Sequence, residues 1–297
     1  MRRGVSILVL LLFLSSSAIG GFERKALGTR GFSVSGAACA LGEDGWGFYY
    51  NPARMVNQQE INLFFLPSYY GIKGLKLIGA SYRGHIFFSD IGAGIHTFGF
   101  ELYRETTISL NFSRPVYDFL FVGGNINLNN LWIKDYGDES CVTLDLGLKF
   151  LVSEHFVFGL TTTNVNSGSM TQSNDRLPQI LDVALGYIDR DLLVEAGYFK
   201  ELGYAPGIQL SAEYNAGSNL FLRVGATSGT QTVNGGFELR VFGIGVGYSM
   251  SYHQTLGITH SFGLRLSPTD LILNKKLDTP SEYDLLISYI RSLKKNN

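Results

Sequence analysis

The residues with the most chemistry to offer are five histidines, His85, His96, His155, His253 and His260, and two cysteines, Cys39 and Cys141. A structural or catalytic metal needs ligands at close, regular spacing, as in HExxH or paired cysteines. None of these seven residues has such spacing, so no metal and no cofactor is expected. Cys39 and Cys141 stand far apart, and their pairing stays open at this level. A nucleophilic serine needs a GxSxG elbow or a base beside it, and no GxSxG is present. His260 and Ser261 are neighbours, but adjacent residues of a strand point to opposite faces and cannot pair. Gly243, Gly245 and Gly247 form GxGxG, which lacks the spacing and the following helix of a phosphate loop. The catalytic set is empty, and no enzyme is expected. A formal net charge of −1 leaves no electrostatic footprint for nucleic acid.

The elements that carry these residues are strands. From Glu60 to Ser267 the sequence alternates. Val142, Leu144, Leu146, Leu148 and Phe150 face one way, and Thr143, Asp145, Gly147 and Lys149 face the other. A period of two over eight or more residues marks a strand with one apolar and one polar face. Fourteen such segments begin near residues 60, 74, 90, 104, 118, 139, 155, 179, 190, 206, 219, 231, 242 and 257. Most run for about 10 residues, the length of a tilted strand crossing a membrane. The polar stretch Asn164 to Arg176 breaks the pattern and reads as a surface loop. Tyr and Phe recur at segment ends, among them Phe64, Tyr69, Tyr70, Tyr82 and Tyr252, the pattern of interfacial girdles.

Composition agrees. Charged residues are 16%, aromatics 13%, and glycine fills 36 positions. Mean hydropathy is +0.11, too low for a bundle of membrane helices. A membrane barrel has this balance because only alternate residues meet lipid. The fold class expected is all-β: a transmembrane, up-and-down antiparallel β-barrel of about 14 strands, in contact with outer-membrane lipid. A secreted soluble β-protein is the remote alternative.

On the polar faces stand Asp145, Lys149, Asp182, Glu195, Glu213, Arg223, Glu238, Arg240 and Arg265. Both signs occur, which fits mutual pairing in a blocked interior better than a charged pore. Gly243, Gly245 and Gly247 share a face with His253, and Gly92 and Gly94 precede His96 in the same way. Glycines stacked on a strand mark close approach of another backbone. These positions are therefore candidates to face a segment packed inside the lumen.

The ends of the chain differ. Arg2 and Arg3, the apolar run Val5 to Leu14 and the small residues before Gly20 form a secretory signal peptide. Ten apolar residues are too few to span the roughly 30 Å hydrocarbon core. Past Ser267, Thr279-Pro280-Ser281-Glu282 opens an amphipathic helix, with a cap, proline at the first helical position and glutamate at the third. The expected organisation is a signal peptide over 1–20, a hatch over 21–59, a barrel over 60–267 and a periplasmic tail with its helix over 268–297.

The hatch segment carries a resemblance. Gly36-Ala37, Ala40-Leu41, Glu43-Asp44 and Tyr49-Tyr50-Asn51-Pro52-Ala53 overlay a GA…AL…DD…YWNPA stretch. That stretch is similar to one in outer-membrane proteins of the long-chain fatty-acid transporter (FadL-like) class and their PorV/PorQ-like relatives linked to type IX secretion. Arg54 departs from it, standing where glycine is usual. Tyr248 to Leu264 resembles the last hairpin of the same group. The resemblance spans about residues 25 to 267 and implies a fourteen-stranded barrel with an inward-folded hatch. It further implies a secretion-linked or structural role with secretion-system or periplasmic protein partners, or, as the alternative, a channel for uptake of hydrophobic small molecules. Asn51-Pro52 reads as a rigid turn, since proline fixes φ and asparagine can bond its own backbone.

Overall fold

The computed structural model describes residues 21–55, 59–86, 89–171, 175–217 and 219–267. The signal peptide and the C-terminal helix expected from the sequence lie outside them.

Fourteen strands form one closed antiparallel barrel in which each pairs with its sequence neighbours and β1 closes on β14. They are β1 (Glu60–Tyr69), β2 (Ile72–Ile86), β3 (Ser89–Phe100), β4 (Tyr103–Tyr117), β5 (Leu120–Ile133), β6 (Gly137–Leu151) and β7 (Phe156–Thr163). There follow β8 (Ile180–Ile188), β9 (Leu192–Glu201), β10 (Gly207–Asn215), β11 (Leu220–Thr227), β12 (Thr232–Val241), β13 (Ile244–His253) and β14 (Gly257–Leu266). Closure gives every strand a partner on both sides. The even count puts the start of β1 and the end of β14 at the same end, here termed the terminal end.

Alternation decides which face is which. On β6, Val142, Leu144, Leu146 and Leu148 are exposed on the outer wall, while Thr143, Asp145 and Lys149 are buried in the lumen. The same inversion runs around the barrel: large apolar side chains lie outside and polar ones inside, as lipid requires.

The lumen is filled by the chain's own N-terminal segment. Its two short helices are α1 (Gly28–Ser33) and α2 (Gly47–Tyr50). Almost every residue from Leu27 to Met55 is buried. Toward the terminal end, Leu41, Ala53 and Met55 pack against Phe121, Val157 and Ile188 from the strands. On the opposite wall, Leu27, Phe32 and Trp46 pack against Phe64, Leu66 and Leu77.

Four sequence expectations are corrected. Gly243 was expected on the lumen wall, but with Phe242 it forms the two-residue turn between β12 and β13. Both have positive φ, 51° and 77°, as a tight hairpin turn demands. Phe64 belongs to no outer girdle, because its even-numbered register points it inward with Glu60 and Asn62. Tyr69 and Tyr70 also leave the girdle, since their rings stack edge-on at 4.5 Å beside the lumen mouth. The polar stretch after Thr163 is a surface loop on its outer side only. Asn164, Met170 and Leu177 are buried, and the loop covers the part of β6 that the short β7 leaves unpaired.

Candidate functional site

The inward charges of the strands have partners in the N-terminal segment or on the strands themselves. Arg30 of α1 lies 2.9 Å from Glu213 on β10. Arg223 on β11 pairs with the same carboxylate and, at 2.8 Å, with Glu238 on β12. Arg240 and Arg265 complete this cluster through Glu238 and Glu60. Lys149 on β6 pairs with Glu43 of the segment. Asp182 on β8 holds Arg24 at 2.6 Å, and Glu105 on β4 holds Lys25 at 2.8 Å. The Glu195 carboxylate has no cationic partner at contact distance. Instead it accepts the backbone N–H groups of Cys39, Ala40 and Leu41 at 2.7, 3.2 and 2.8 Å.

The hatch-motif residues have distinct surroundings. Gly36 has φ of 77° and comes close to Gln209 on β10. The carbonyl of Ala37 accepts from Ser211 at 3.2 Å. Glu43 also offers its carboxylate to the N–H of Met55, and its carbonyl accepts from Arg83 on β2. The Asp44 carbonyl accepts the N–H of Gly47 at 2.8 Å where α2 begins. Asn51 accepts the N–H of Ala53 at 2.9 Å, a self-bonded turn around Pro52. Its amide donates to the carbonyls of Cys39 at 2.8 Å and of Leu148 at 3.1 Å, tying the turn to both segment and wall. The Pro52 carbonyl accepts from Asn111 at 3.0 Å.

The glycines of the strands form the other half of this fit. A Cβ on Gly247 would lie 2.5 Å from Thr29, and one on Gly263 would meet the same side chain. Gly225 faces the backbone of Val34, Gly147 faces Asn51, and Gly186 faces Leu41. At Gly245 the neighbours are Glu238 and Arg265, so that glycine makes room for the ion cluster. His96 points inward against Trp46 and Tyr49. His253 lies at the strand end, where Nδ1 accepts the N–H groups of Thr255 and Leu256 at 3.1 and 3.0 Å. The ring thus caps a turn, and it also packs edge-on against Tyr70 at the lumen mouth, 5.5 Å between centroids.

Cys39 and Cys141 are both free and buried. Burial pushes the Cys39 thiol far above its ordinary pKa, and the nearby Asp182 and Glu195 carboxylates push it the same way. It is unreactive where it sits.

Above the segment, at the mouth opposite the terminal end of the barrel, lies a cavity of about 560 Å³. Its wall is aromatic at Tyr69, Tyr70, Phe199 and Tyr204, and its floor is made by Phe32 and Ser35. Residues 22–25 separate it from a smaller chamber of about 90 Å³ lined by Tyr49, His96 and the asparagines of β5. Sequence reasoning missed this cavity. Its residues come from strand ends, turns and the N-terminal segment, which alternation does not bring together, and only the tyrosine pair hinted at it. Among the described residues no group of three or more His, Cys, Asp and Glu is arranged to hold a metal.

These features define a plugged fourteen-strand barrel with a cavity at one mouth, and solved structures share that fold. The "CymD monoaromatic hydrocarbon channel" superposes with a TM-score of 0.62 at 12% identity, over 83% of this chain and 99% of that one. A toluene transporter of Ralstonia pickettii, TbuX, gives 0.57 at 14% identity, over 79% and 97%. A Pseudomonas aeruginosa FadL homologue gives 0.58 at 9% identity, over 84% and 100%. No protein-family model and no curated protein matches the sequence.

Proposed function

We propose that this chain is a non-enzymatic outer-membrane β-barrel that admits small hydrophobic molecules, with the N-terminal segment as its hatch. The observation that carries the reading is the aromatic-walled cavity of about 560 Å³ at the mouth, large enough for a small organic molecule and closed below by the hatch. The exposed apolar wall of the strands supports placement in a membrane. Fold likeness to hydrocarbon channels supports the solute-uptake alternative over the secretion-linked role. The lumen charges are paired with one another and with the hatch, which fits a closed route that opens by hatch movement and not a water-filled pore.

The test is uptake of the fluorescent aromatic probe N-phenylnaphthylamine by intact Gram-negative cells. Cells displaying the chain in the outer membrane should take up the probe faster than cells carrying an unrelated barrel at equal abundance. Equal rates would remove the channel reading. Co-purification of secretion components from native membranes, with no effect on uptake, would restore the secretion-linked role.

A further inference from the structure

The charges that face the cavity are not balanced as the rest of the lumen is. Two carboxylates, Glu23 and Glu201, stand in its wall. The wall's cation, Arg24, lies 2.6 Å from Asp182 and is neutralised by it. A ligand in the cavity therefore meets net negative charge. The floor is formed in part by a buried serine. Ser35 is buried to 6% exposure, its φ is 54°, and its hydroxyl has no hydrogen-bond partner although it lines the cavity. An unpaired buried hydroxyl costs free energy unless something bonds it. Tyr69, Tyr70, Phe199 and Tyr204 offer ring faces and edges, which attract both flat apolar bodies and cations.

Resting on the uptake reading, we infer that the cavity selects small aromatic molecules bearing an amine and disfavours those bearing a carboxylate. The ring lies among the tyrosines and Phe199. The ammonium group faces Glu23 and Glu201. A carboxylate in the same pose would face two like charges, with Arg24 already committed to Asp182.

The experiment titrates the purified mature chain in detergent, by calorimetry at neutral pH, with phenethylamine, phenethyl alcohol and phenylacetate. The three share a phenyl ring carrying a two-carbon chain, whose second carbon is the carboxylate carbon in phenylacetate, and differ in charge. The amine should bind about tenfold more tightly than the carboxylate, the scale of one partly screened ion pair. Added salt should weaken the amine and leave the alcohol unaffected. In the Glu23→Gln/Glu201→Gln variant the ratio should fall to about one. Carboxylate binding as tight as amine binding overturns the charge selection but leaves the channel reading standing. Absence of binding by all three overturns both. The salt series on the unaltered chain decides the matter even if the double variant fails to fold.

Discussion

The backbone N–H of Cys39 lies 2.7 Å from the Glu195 carboxylate, so a strand residue and a hatch residue 156 positions apart share a charge-assisted hydrogen bond. The next two N–H groups of the hatch converge on the same carboxylate. On the proposed uptake reading Glu195 is a latch, and Cys39 is a reporter placed on it. Glu195→Gln replaces one acceptor oxygen with an NH2 group that faces N–H donors. Hydrogen bonds to a charged group contribute about 1.5–3 kcal/mol each. Losing one should raise the population of the unlatched hatch by tenfold or more. In a Cys141→Ser background, maleimide should label native Cys39 slowly and the Glu195→Gln variant at least tenfold faster. Equal labelling would show that the hatch is held elsewhere.

Two adjacent glycines on β12 provide an internal control for close packing. A Cβ on Gly236 would overlap Ser33 of the hatch and the neighbouring strand, whereas one on Gly235 finds nothing nearer than 3.6 Å, the carbonyl of Arg223. Overpacking costs about 1–3 kcal/mol. Gly236→Val should lower the temperature at which the folded barrel loses its compact gel mobility, and Gly235→Val should leave it unchanged. Similar losses in both would mean that glycine is needed there for the sheet and not for the hatch.

The strands were legible because their signal is local. Period-two alternation places every strand start within two residues of where it lies, from Glu60 to Gly257. The inward charges were legible for the same reason. Their partners were not. Glu195 meets Cys39, and Glu213 meets Arg30, across more than a hundred residues of chain, and no pattern along the sequence encodes that register. Gly243 was misplaced because it follows the strand's parity yet sits where the strand has given way to a turn, whereas His253 is the last paired residue of β13 and its ring caps the turn that follows. The cavity was invisible for a related reason: Tyr69, Phe199 and Tyr204 converge only when the barrel closes.

Arg223 sits between Glu213 and Glu238 with almost no exposure. Removing a buried cation leaves its carboxylates uncompensated, which typically costs 3–5 kcal/mol. Arg223→Met keeps much of the volume and should destabilise the barrel by about 3–5 kcal/mol in denaturant titration. Arg30 and Arg240, which touch the same two carboxylates, set the lower end of that range. A loss under about 1 kcal/mol would mean that these two neighbours suffice without it.

Among the described residues, the seam where the barrel closes has the shortest strand pairing in the wall. Pairing between β1 and β14 runs from Ile61↔Leu266 to Phe65↔Phe262 and stops there, while β1 stays paired to β2 as far as Tyr69↔Ile72. Pro67 follows and brings no N–H to the ladder, and the β1–β2 register shifts between Leu66 and Ser68. Beyond it, the N–H of Tyr70 donates to Thr259 Oγ at 2.9 Å, clipping the two strands at the cavity wall. Hydrogen exchange should therefore be faster in residues 66–70 and 257–261 than in 61–65 and 262–266, even though all four stretches are strand or strand end. Thr259→Val removes the clip and keeps the shape. One neutral hydrogen bond contributes about 1 kcal/mol, or roughly fivefold in local opening. Exchange in 66–70 should accelerate by about that factor, while the β7–β8 hairpin on the far wall stays as it was. Uniform acceleration around the barrel would mean that Thr259 supports the whole wall. No change would mean that the seam is held by packing of its side chains and not by this bond.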